Sequence, residues 1–447
     1  MLTWLMRMSL QGMGVVNMLK TMTLELDPDL LKQARFSNEP HWLKALRENA
    51  WKQINSLEMP IFAKINYHAW PLLDFVSHPV FNVTIPESVW SESNGYQFAS
   101  LGQLVVKTEL SEELTAKGVI LCDMGTAIHQ YGDLVHDFLF HQAVQIDENR
   151  LTAVSAALMN GGTFLYVPKN VEIDDPINLL QIQDSRQPGN FVNHTLIVAG
   201  ENSQFQVLQR SSTLGDEPNA AHIMVEIVAQ SGSRVKFSAL DSLGQTTHSY
   251  INRRGYLEKD ARIDWTVGVL NDGNTIADFD SNLVGSGSHT EMQTVAISTD
   301  RQTQGIDTQV TNYGRHSEGN ILQRGILLGR SALVFNGIGK IIKGAHGAKA
   351  QQENRVLMLS PKARGDANPI LLIDENDVIA GHAASVGRIN QDQMYYLMSR
   401  GLTKEVAQRL VARGFLGVVL SDIPVPEVRQ QMISLIERKL INGQGTE

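Results

Sequence analysis

The sequence predicts a mainly β protein: a right-handed parallel β-helix flanked by N- and C-terminal α-helical modules. Short segments of alternating apolar and polar residues recur in the middle of the chain at intervals near 28 residues, with no helical period between them. The alternation ends after Ile389, where helical spacing begins. In such a solenoid each coil bonds to the next, so we expect apolar stacks inside and polar residues outside.

Three segments define the repeat: NSQFQV at 202–207, GSRVKF at 232–237 and DARIDW at 260–265, which begin 30 and 28 residues apart. Each gives a turn residue, a small residue and then alternation. GSHTEM at 287–292 follows more weakly, and RSALVF at 330–335 recurs later. A β-sandwich would also alternate, but the coil-sized interval favours the solenoid.

Residues 22–105 are predicted to form an N-terminal helical module and a connector. Asp27 precedes Pro28 as a helix cap, and Pro40 opens a longer amphipathic helix. Several prolines and aromatic residues predict an irregular connector over 60–105.

The first 21 residues are apolar and rich in methionine, but only a dozen uncharged residues separate Arg7 from Lys20. A bilayer span needs about 20 residues, and no clean signal-peptide cleavage pattern is present. We therefore expect residues 1–21 to be a non-native or disordered extension and the protein to be cytoplasmic.

Residues 106–389 are predicted to hold a mixed region of strands and helices, followed by the β-helix. A short strand at 119–121 ends at Cys122, the one cysteine of the chain. Its neighbours Leu121 and Asp123 disfavour a thiolate, so a small packed residue is expected there.

Residues 390–447 are predicted to be a C-terminal helical module. Asn390 followed by Gln393 resembles a capping box, and Gly401 ends this first helix. A second helix is expected from Thr403 to Gly414, and a third from Pro426 to about residue 440. Such helices would either cap the exposed edges of the solenoid or leave its last coil open for docking.

Composition excludes several classes of function. The chain has 447 residues, 43% of them hydrophobic, and a net charge of −9 without a basic stripe, so nucleic acid is a poor partner. One cysteine allows neither an internal disulfide nor a cysteine-rich metal site. GIGKIIKG at 337–344 lacks the order of a nucleotide-binding loop and is interpreted as two β turns.

His382 is the candidate metal ligand, because a neutral imidazole suits iron and zinc. It lies among small residues that leave room for a ligand or a partner. His346, in KGAHGAKA, is a weaker candidate and is expected to be a turn residue. From spacing alone, a purely structural role for His382 stays open.

Three carboxylates offer an alternative from a different class. Asp278 and Asp280 share one face of an extended segment, and Asp264 falls about a coil earlier. Paired acids on a β-helix face are typical of carbohydrate-active enzymes. Convergence of the three in an open groove would favour that function over a solvated polar face.

Several long motifs resemble the SufB/SufD family of iron–sulfur cluster assembly scaffolds. They are EPHWLKALRENAW at 39–51, ENRLTAVSAALMNGGTFLYVP at 148–168, RVLMLSPKARGDANPILLI at 355–373, GHAASVGR at 381–388 and YYLMSRGL at 395–402. They occur in family order over roughly residues 22–440. The signature GHAASVGR at 381–388 is similar to the one found in the SufD branch of the family. A SufB-like principal scaffold is disfavoured because no cysteine lies near this signature.

The resemblance implies a non-catalytic scaffold that pairs with a SufB-like paralogue, with a homodimer left open, and docks a SufC-like ABC-type ATPase. ATP would act only through that ATPase, and a transient iron–sulfur cluster would form at the interface of the paralogues with His382 as a shared ligand. Some SufD proteins carry a cysteine two residues before this histidine, where this chain has Ala380. The partner interface on the C-terminal helices would include Tyr395, Tyr396, Arg400 and Phe415, with packing of these residues onto the end of the β-helix as an equal alternative.

Overall fold

The structure is a computed structural model, and it describes residues 27–77, 84–421 and 426–444. Its described strands are β1 (Phe98–Leu101), β2 (Leu104–Thr108), β3 (Ile120–Asp123), β4 (Gly161–Val167), β5 (Ile177–Ser185), β6 (Phe191–Ala199), β7 (Gln204–Gly215), β8 (Ala220–Ala229), β9 (Arg234–Ser242), β10 (His248–Leu257), β11 (Arg262–Val269), β12 (Thr275–Leu283), β13 (His289–Ser298), β14 (Thr303–Asn312), β15 (Glu318–Leu327), β16 (Ala332–Ile341), β17 (Lys349–Met358), β18 (Arg364–Ile373) and β19 (Ile379–Arg388).

The described helices are α1 (Pro28–Gln33), α2 (His41–Gln53), α3 (Glu87–Ser93), α4 (Glu112–Ala116), α5 (Met124–Gln130), α6 (Gly132–Phe138), α7 (Arg150–Leu158), α8 (Gln391–Ser399), α9 (Lys404–Ser421) and α10 (Pro426–Gln444). As predicted, Asp27 caps α1, and the Asn390 side chain accepts the N–H groups of Asp392 and Gln393 at the start of α8. The prediction for residues 1–21 concerns residues outside the described ones.

Two sheets face each other, one of 10 strands and one of 9. From β4 onward each strand pairs in parallel with the strand two places later, so one coil holds one strand of each sheet. The predicted parallel β-helix, with helices at both ends of the chain, is confirmed.

The sequence repeat corresponds to the rows of the ten-stranded sheet. Gln204, Arg234, Arg262 and His289 are in register at the starts of β7, β9, β11 and β13. The segment 330–335 does not continue this row, because it begins β16 of the nine-stranded sheet. Apolar and polar residues alternate in the same way in the strands of both sheets. Alternation alone therefore could not show which of the two sheets a strand belongs to.

A left-handed residue marks the same corner of successive coils. Asn202, Gly232, Asp260 and Gly287 have φ values of 55°, 73°, 56° and 72°. Each donates its N–H to the following coil, as Asn202 does to the carbonyl of Ser231 at 3.0 Å. Glycine, asparagine and aspartate tolerate this conformation best. The turn residue of the repeat is therefore a backbone requirement of the corner.

The interior of the solenoid is partly polar, which corrects the expectation of purely apolar stacks. Arg253 and Asp241 are fully buried and form a two-pronged ion pair with N–O distances of 2.9 and 2.8 Å. Gln323 donates across the interior to Thr308 at 2.9 Å. Buried polar groups are tolerated when they form hydrogen bonds or ion pairs with each other. Side-chain hydrogen bonds and ion pairs therefore stabilise the interior together with apolar packing.

The C-terminal helices lie along the side of the solenoid rather than over its end. Met432 and Leu416 belong to one apolar cluster with outward-facing residues of the ten-stranded sheet. Arg324 of β15 lies over the Phe415 ring, 5.7 Å from its centroid. Of the two alternatives left open by the sequence, the uncapped last coil is the one observed among the described residues.

Three local predictions were wrong. The connector 60–105 contains α3, β1 and the start of β2, and β1 joins the ten-stranded sheet beside β5. The glycine-rich segment 337–344 is mostly strand, since β16 runs to Ile341. Gly414 does not end the second C-terminal helix, because α9 continues to Ser421 with Leu416 and Leu420 buried against the sheet.

Candidate functional site

The open end of the solenoid is formed by β18 and β19, the last strands of their sheets. Each pairs on one side only, β18 with β16 and β19 with β17. In the described chain no strand or helix pairs with their outer edges. The free N–H and C=O groups of such edges can pair with another chain.

His382 lies on β19 and continues an inward-facing column of the ten-stranded sheet. Residues in register on neighbouring strands share a face of the sheet. The column consists, coil by coil, of Val207, Phe237, Trp265, Met292, Ile321, Gln352 and His382. The first six are buried, whereas His382 is exposed because no further coil covers it. The imidazole therefore lies over the mouth of the solenoid.

Small side chains flank His382 along its own strand. Ala380 and Ala384 lie on either side of it on the same face of β19. The sequence predicted this room from the small residues next to the histidine. A ligand or a side chain of a partner can therefore approach the imidazole without displacing backbone.

Apolar side chains form a rim around the mouth. Ile379 is 61% exposed, and Ile370, Ile373 and Val386 are each about 40% exposed. These four residues are termed the apolar rim. Exposed apolar groups that cluster at one end of a molecule are typical of an interface.

Buried amides lie directly beneath the mouth. Gln352 donates to the carbonyl of Ile370 at 2.7 Å, which ties β17 to β18. Asn354 is fully buried, and neither atom of its amide has a hydrogen-bond partner among the described residues. An unsatisfied buried amide costs about 1–3 kcal/mol. The coil beneath the mouth therefore holds a buried amide that the described residues leave unsatisfied.

The other candidate ligands lie elsewhere. His346 is in the turn between β16 and β17, as predicted, with its Nδ1 atom 3.4 Å from Glu375. Cys122 is buried on β3, at the opposite end of the nine-stranded sheet from β18. Burial, with a contribution from Asp123, raises the pKa of its thiol to about 12. The prediction of a packed cysteine is confirmed, and this thiol is not a ligand for the open end.

The C-terminal helices expose part of the predicted interface. Tyr395 and Tyr396 are 77% and 56% exposed, and Arg400 lies over the Tyr396 ring, 5.1 Å from its centroid. Phe415 is half-buried against the sheet. These four residues therefore do not share one exposed surface.

The sequence analysis missed an apolar stripe on α9. Val406, Leu410 and Val418 are 37%, 51% and 50% exposed. Their spacing of four and eight residues places them on one side of the helix. Val406 and Leu410 lie within the predicted helix, but Val418 lies beyond Gly414, so the full stripe is visible only when the helix extends to Ser421.

The carbohydrate-enzyme alternative required three converging acids, and the structure separates them. Asp264 faces outward from the ten-stranded sheet and pairs with Arg262 at 2.9 Å. Asp278 and Asp280 face outward from the nine-stranded sheet on the other side, where Arg254 binds both. The three carboxylates form no common groove, so the convergence that would have favoured this alternative is not observed.

The fold and the site define a two-sheeted parallel solenoid with flanking helices and an open, histidine-bearing end. Family models agree with this class. Residues 181–415 match the model described as SUF system FeS cluster assembly, SufBD core domain, and residues 94–179 match the SufBD protein N-terminal region. The chain belongs to the SufBD family.

Individual relatives support the same assignment. The chain is 41% identical over 431 residues to the iron–sulfur cluster assembly protein SufD of Bacillus subtilis, covering 93% of this chain and 98% of that protein. SufBD family proteins of Staphylococcus epidermidis and Staphylococcus haemolyticus are each 23% identical, over 92% of both chains. The resemblance to SufD is thereby confirmed. Among the described helices, none is long and apolar enough to cross a membrane.

Proposed function

We propose that this chain is a SufD-type scaffold subunit for iron–sulfur cluster assembly, without catalytic activity of its own, that works in the cytoplasm. The observation that carries the proposal is the uncovered last coil, with His382 at its mouth. The family assignment supplies the process, since the matching core model is that of the SUF system. The sequence features and the open end together support a role that needs a second protein.

The partner at the open end is a SufB-like paralogue. A solenoid of the same family would present strands at the same spacing, so its terminal edges could pair with β18 and β19. The apolar rim would lose its solvent exposure in that contact. A second copy of this chain would meet the same geometric requirement and is therefore a competing occupant in the test below.

His382 is proposed as a shared ligand of the nascent cluster, which is the cargo of the complex. Its imidazole must be neutral to bind iron. This chain offers no thiolate at the mouth, since Cys122 is buried far from it. The remaining ligands must then come from the paralogue.

The SufC-like ATPase is proposed to dock on α8 and α9. The docking surface would combine Tyr395 and Tyr396 with the apolar stripe Val406, Leu410 and Val418. Aromatic and large apolar side chains dominate the centres of interfaces. ATP binding and hydrolysis would then occur in that subunit. The resulting movement would be transmitted to the open end through the helices.

The first experiment tests His382. The chain, its SufB-like paralogue and the SufC-like ATPase are co-expressed, and iron and sulfide are measured in the purified complex. His382→Ala should leave the complex assembled and reduce its cluster content several-fold. His346→Ala is the matched control, because this exposed histidine lies in a turn near the same end. Unchanged cluster content in His382→Ala would reject the ligand role.

A second experiment separates the two interfaces. Val386→Asp places a charge on the apolar rim and should release the paralogue while the ATPase still co-purifies. Leu410→Asp places a charge on α9 and should do the reverse. Both side chains are exposed, so neither change should unfold the chain. Loss of the same subunit in both variants, or self-association of the chain in place of pairing, would contradict the proposed arrangement.

A further inference from the structure

A cleft with an excess of positive charge lies where the N-terminus of α9 meets the corner of the solenoid. Its volume is about 710 Å³. Arg301, Arg330, Lys362 and Lys404 line it, together with Asp272 and Asp300. We name it the cation cleft. It is distinct from the open end and from the apolar stripe of α9.

Three of these cations occupy equivalent positions in consecutive coils. Thr303, Ala332 and Arg364 are in register at the starts of β14, β16 and β18. Arg301, Arg330 and Lys362 each lie two residues before one of these positions. Neighbouring strands are about 4.8 Å apart, so the backbone positions of the first and third cation are about 10 Å apart.

These cations have no acidic partners. Some exposed arginines of the solenoid pair with acids on their own strands, as Arg262 does with Asp264 and Arg364 with Asp366. None of the four cations of the cleft forms an ion pair within residues 27–77, 84–421 and 426–444. Arg234, Arg315 and Arg388 are also unpaired there, but they lie apart from one another, whereas three cations of the cleft are stacked in consecutive coils. Like charges stacked at strand spacing repel each other unless an anion compensates them.

The acids of the cleft do not remove the excess charge. Asp272 lies 3.3 Å from the buried Lys439 and 3.7 Å from Arg438. Asp300 then faces the four cations alone. The amides of Gln245 and Asn274 also line the cleft and can donate hydrogen bonds.

We propose that the cation cleft binds a small polyanion of the di- or triphosphate class. Arginine and lysine are the side chains that bind phosphate groups. A linked chain of phosphates matches the length of the row and carries more charge, so it can contact more of these cations at once than a single phosphate group. The N-terminus of α9, where Lys404 begins the helix, adds a favourable dipole.

The test uses the purified full-length chain without magnesium, at about 150 mM salt. Binding of tripolyphosphate, pyrophosphate, orthophosphate and a poly-glutamate peptide is measured by titration calorimetry. Tripolyphosphate should bind most tightly and orthophosphate least, and the affinity should fall as salt is raised. Arg330→Ala should weaken tripolyphosphate binding about tenfold, and Asp300→Asn should strengthen it.

Arg315→Ala is the matched control, because Arg315 is exposed at the other corner of the same stack of coils. It should leave binding unchanged, and circular dichroism should show that all variants are folded. An equal loss in Arg315→Ala would reveal general charge attraction and overturn the proposal. Binding of poly-glutamate alone, or no binding of tripolyphosphate up to millimolar concentration, would overturn it as well.

Discussion

Asp307 offers a test of how burial on the outer face of the nine-stranded sheet affects stability. It lies on β14 in register with Asp278 on one side and Asn336 on the other. Asn336 donates to its carboxylate at 2.5 Å, but Asp307 forms no ion pair within the described chain. Burial, with a smaller contribution from Asp278, raises its pKa from 3.8 to about 7.

The raised pKa of Asp307 determines the direction and the size of the change in folding stability with pH. The unfolded chain loses the proton near pH 3.8 and the folded chain only near pH 7, so stability is lost as pH rises between these values. At about 1.4 kcal/mol for each pKa unit, the loss above pH 7 is at most about 4 kcal/mol. Asp307→Asn removes the charge and keeps an oxygen that can accept the bond from Asn336. We expect it to stabilise the protein by about 2 kcal/mol at pH 8, since the new amide also needs a partner.

The assay is thermal unfolding of the isolated chain and its variant from pH 4 to pH 8. The gain in stability should be small at pH 4, grow up to pH 7 and then stay constant. Asp264→Asn is the control, because that carboxylate is paired with Arg262 near the surface. A gain for Asp307→Asn that does not change with pH, or a loss of stability at pH 8, would refute the reasoning.

Three further changes test the interior and the corners. Arg253→Met leaves the buried Asp241 charge unpaired and should lower the free energy of unfolding by about 3–5 kcal/mol in denaturant titrations; the double variant with Asp241→Leu should recover most of that loss, and no recovery would contradict the pairing. Gly232→Ala should lower the melting temperature, because φ is 73° and the new Cβ would lie 2.3 Å from Asn202 Oδ1, whereas Asp260→Gly at the equivalent corner should have little effect. Asn354→Leu removes an unsatisfied amide, so it should raise the free energy of unfolding by about 1 kcal/mol and the melting temperature with it; a lower melting temperature would show that the amide is satisfied in solution.

The sequence predicted the solenoid because its strongest signal is a backbone requirement. The corner residues Asn202, Gly232, Asp260 and Gly287 take left-handed conformations, which few residue types tolerate, so they recur visibly. The partly polar interior was not predictable in this way. Alternation shows which residues share a face of a strand but not which face is inside, and a polar residue such as Gln323 or Arg253 is assigned to the outer face by such a pattern.

The candidate site was predicted only in part. The sequence indicated His382 as an isolated histidine among small residues. Its position over the mouth depends on the register of seven neighbouring strands, which is seen only in the structure. Phe415 was assigned to a surface because the helix was expected to end at Gly414. The buried side of α9 packs on the sheet, and this packing outweighs the low helix propensity of Gly414 and Gly417, about 1 kcal/mol each.

The position of the C-terminal helices affects how the whole stack responds to force. In a simple repeat array each coil touches only its neighbours, so coils can fray one at a time. Here one apolar cluster joins these helices to Leu208, Leu240, Leu270, Val295, Ile326 and Leu359, which belong to successive coils. The helices connect the coils mechanically. A force applied to the helices therefore moves the last coil together with the coils below it.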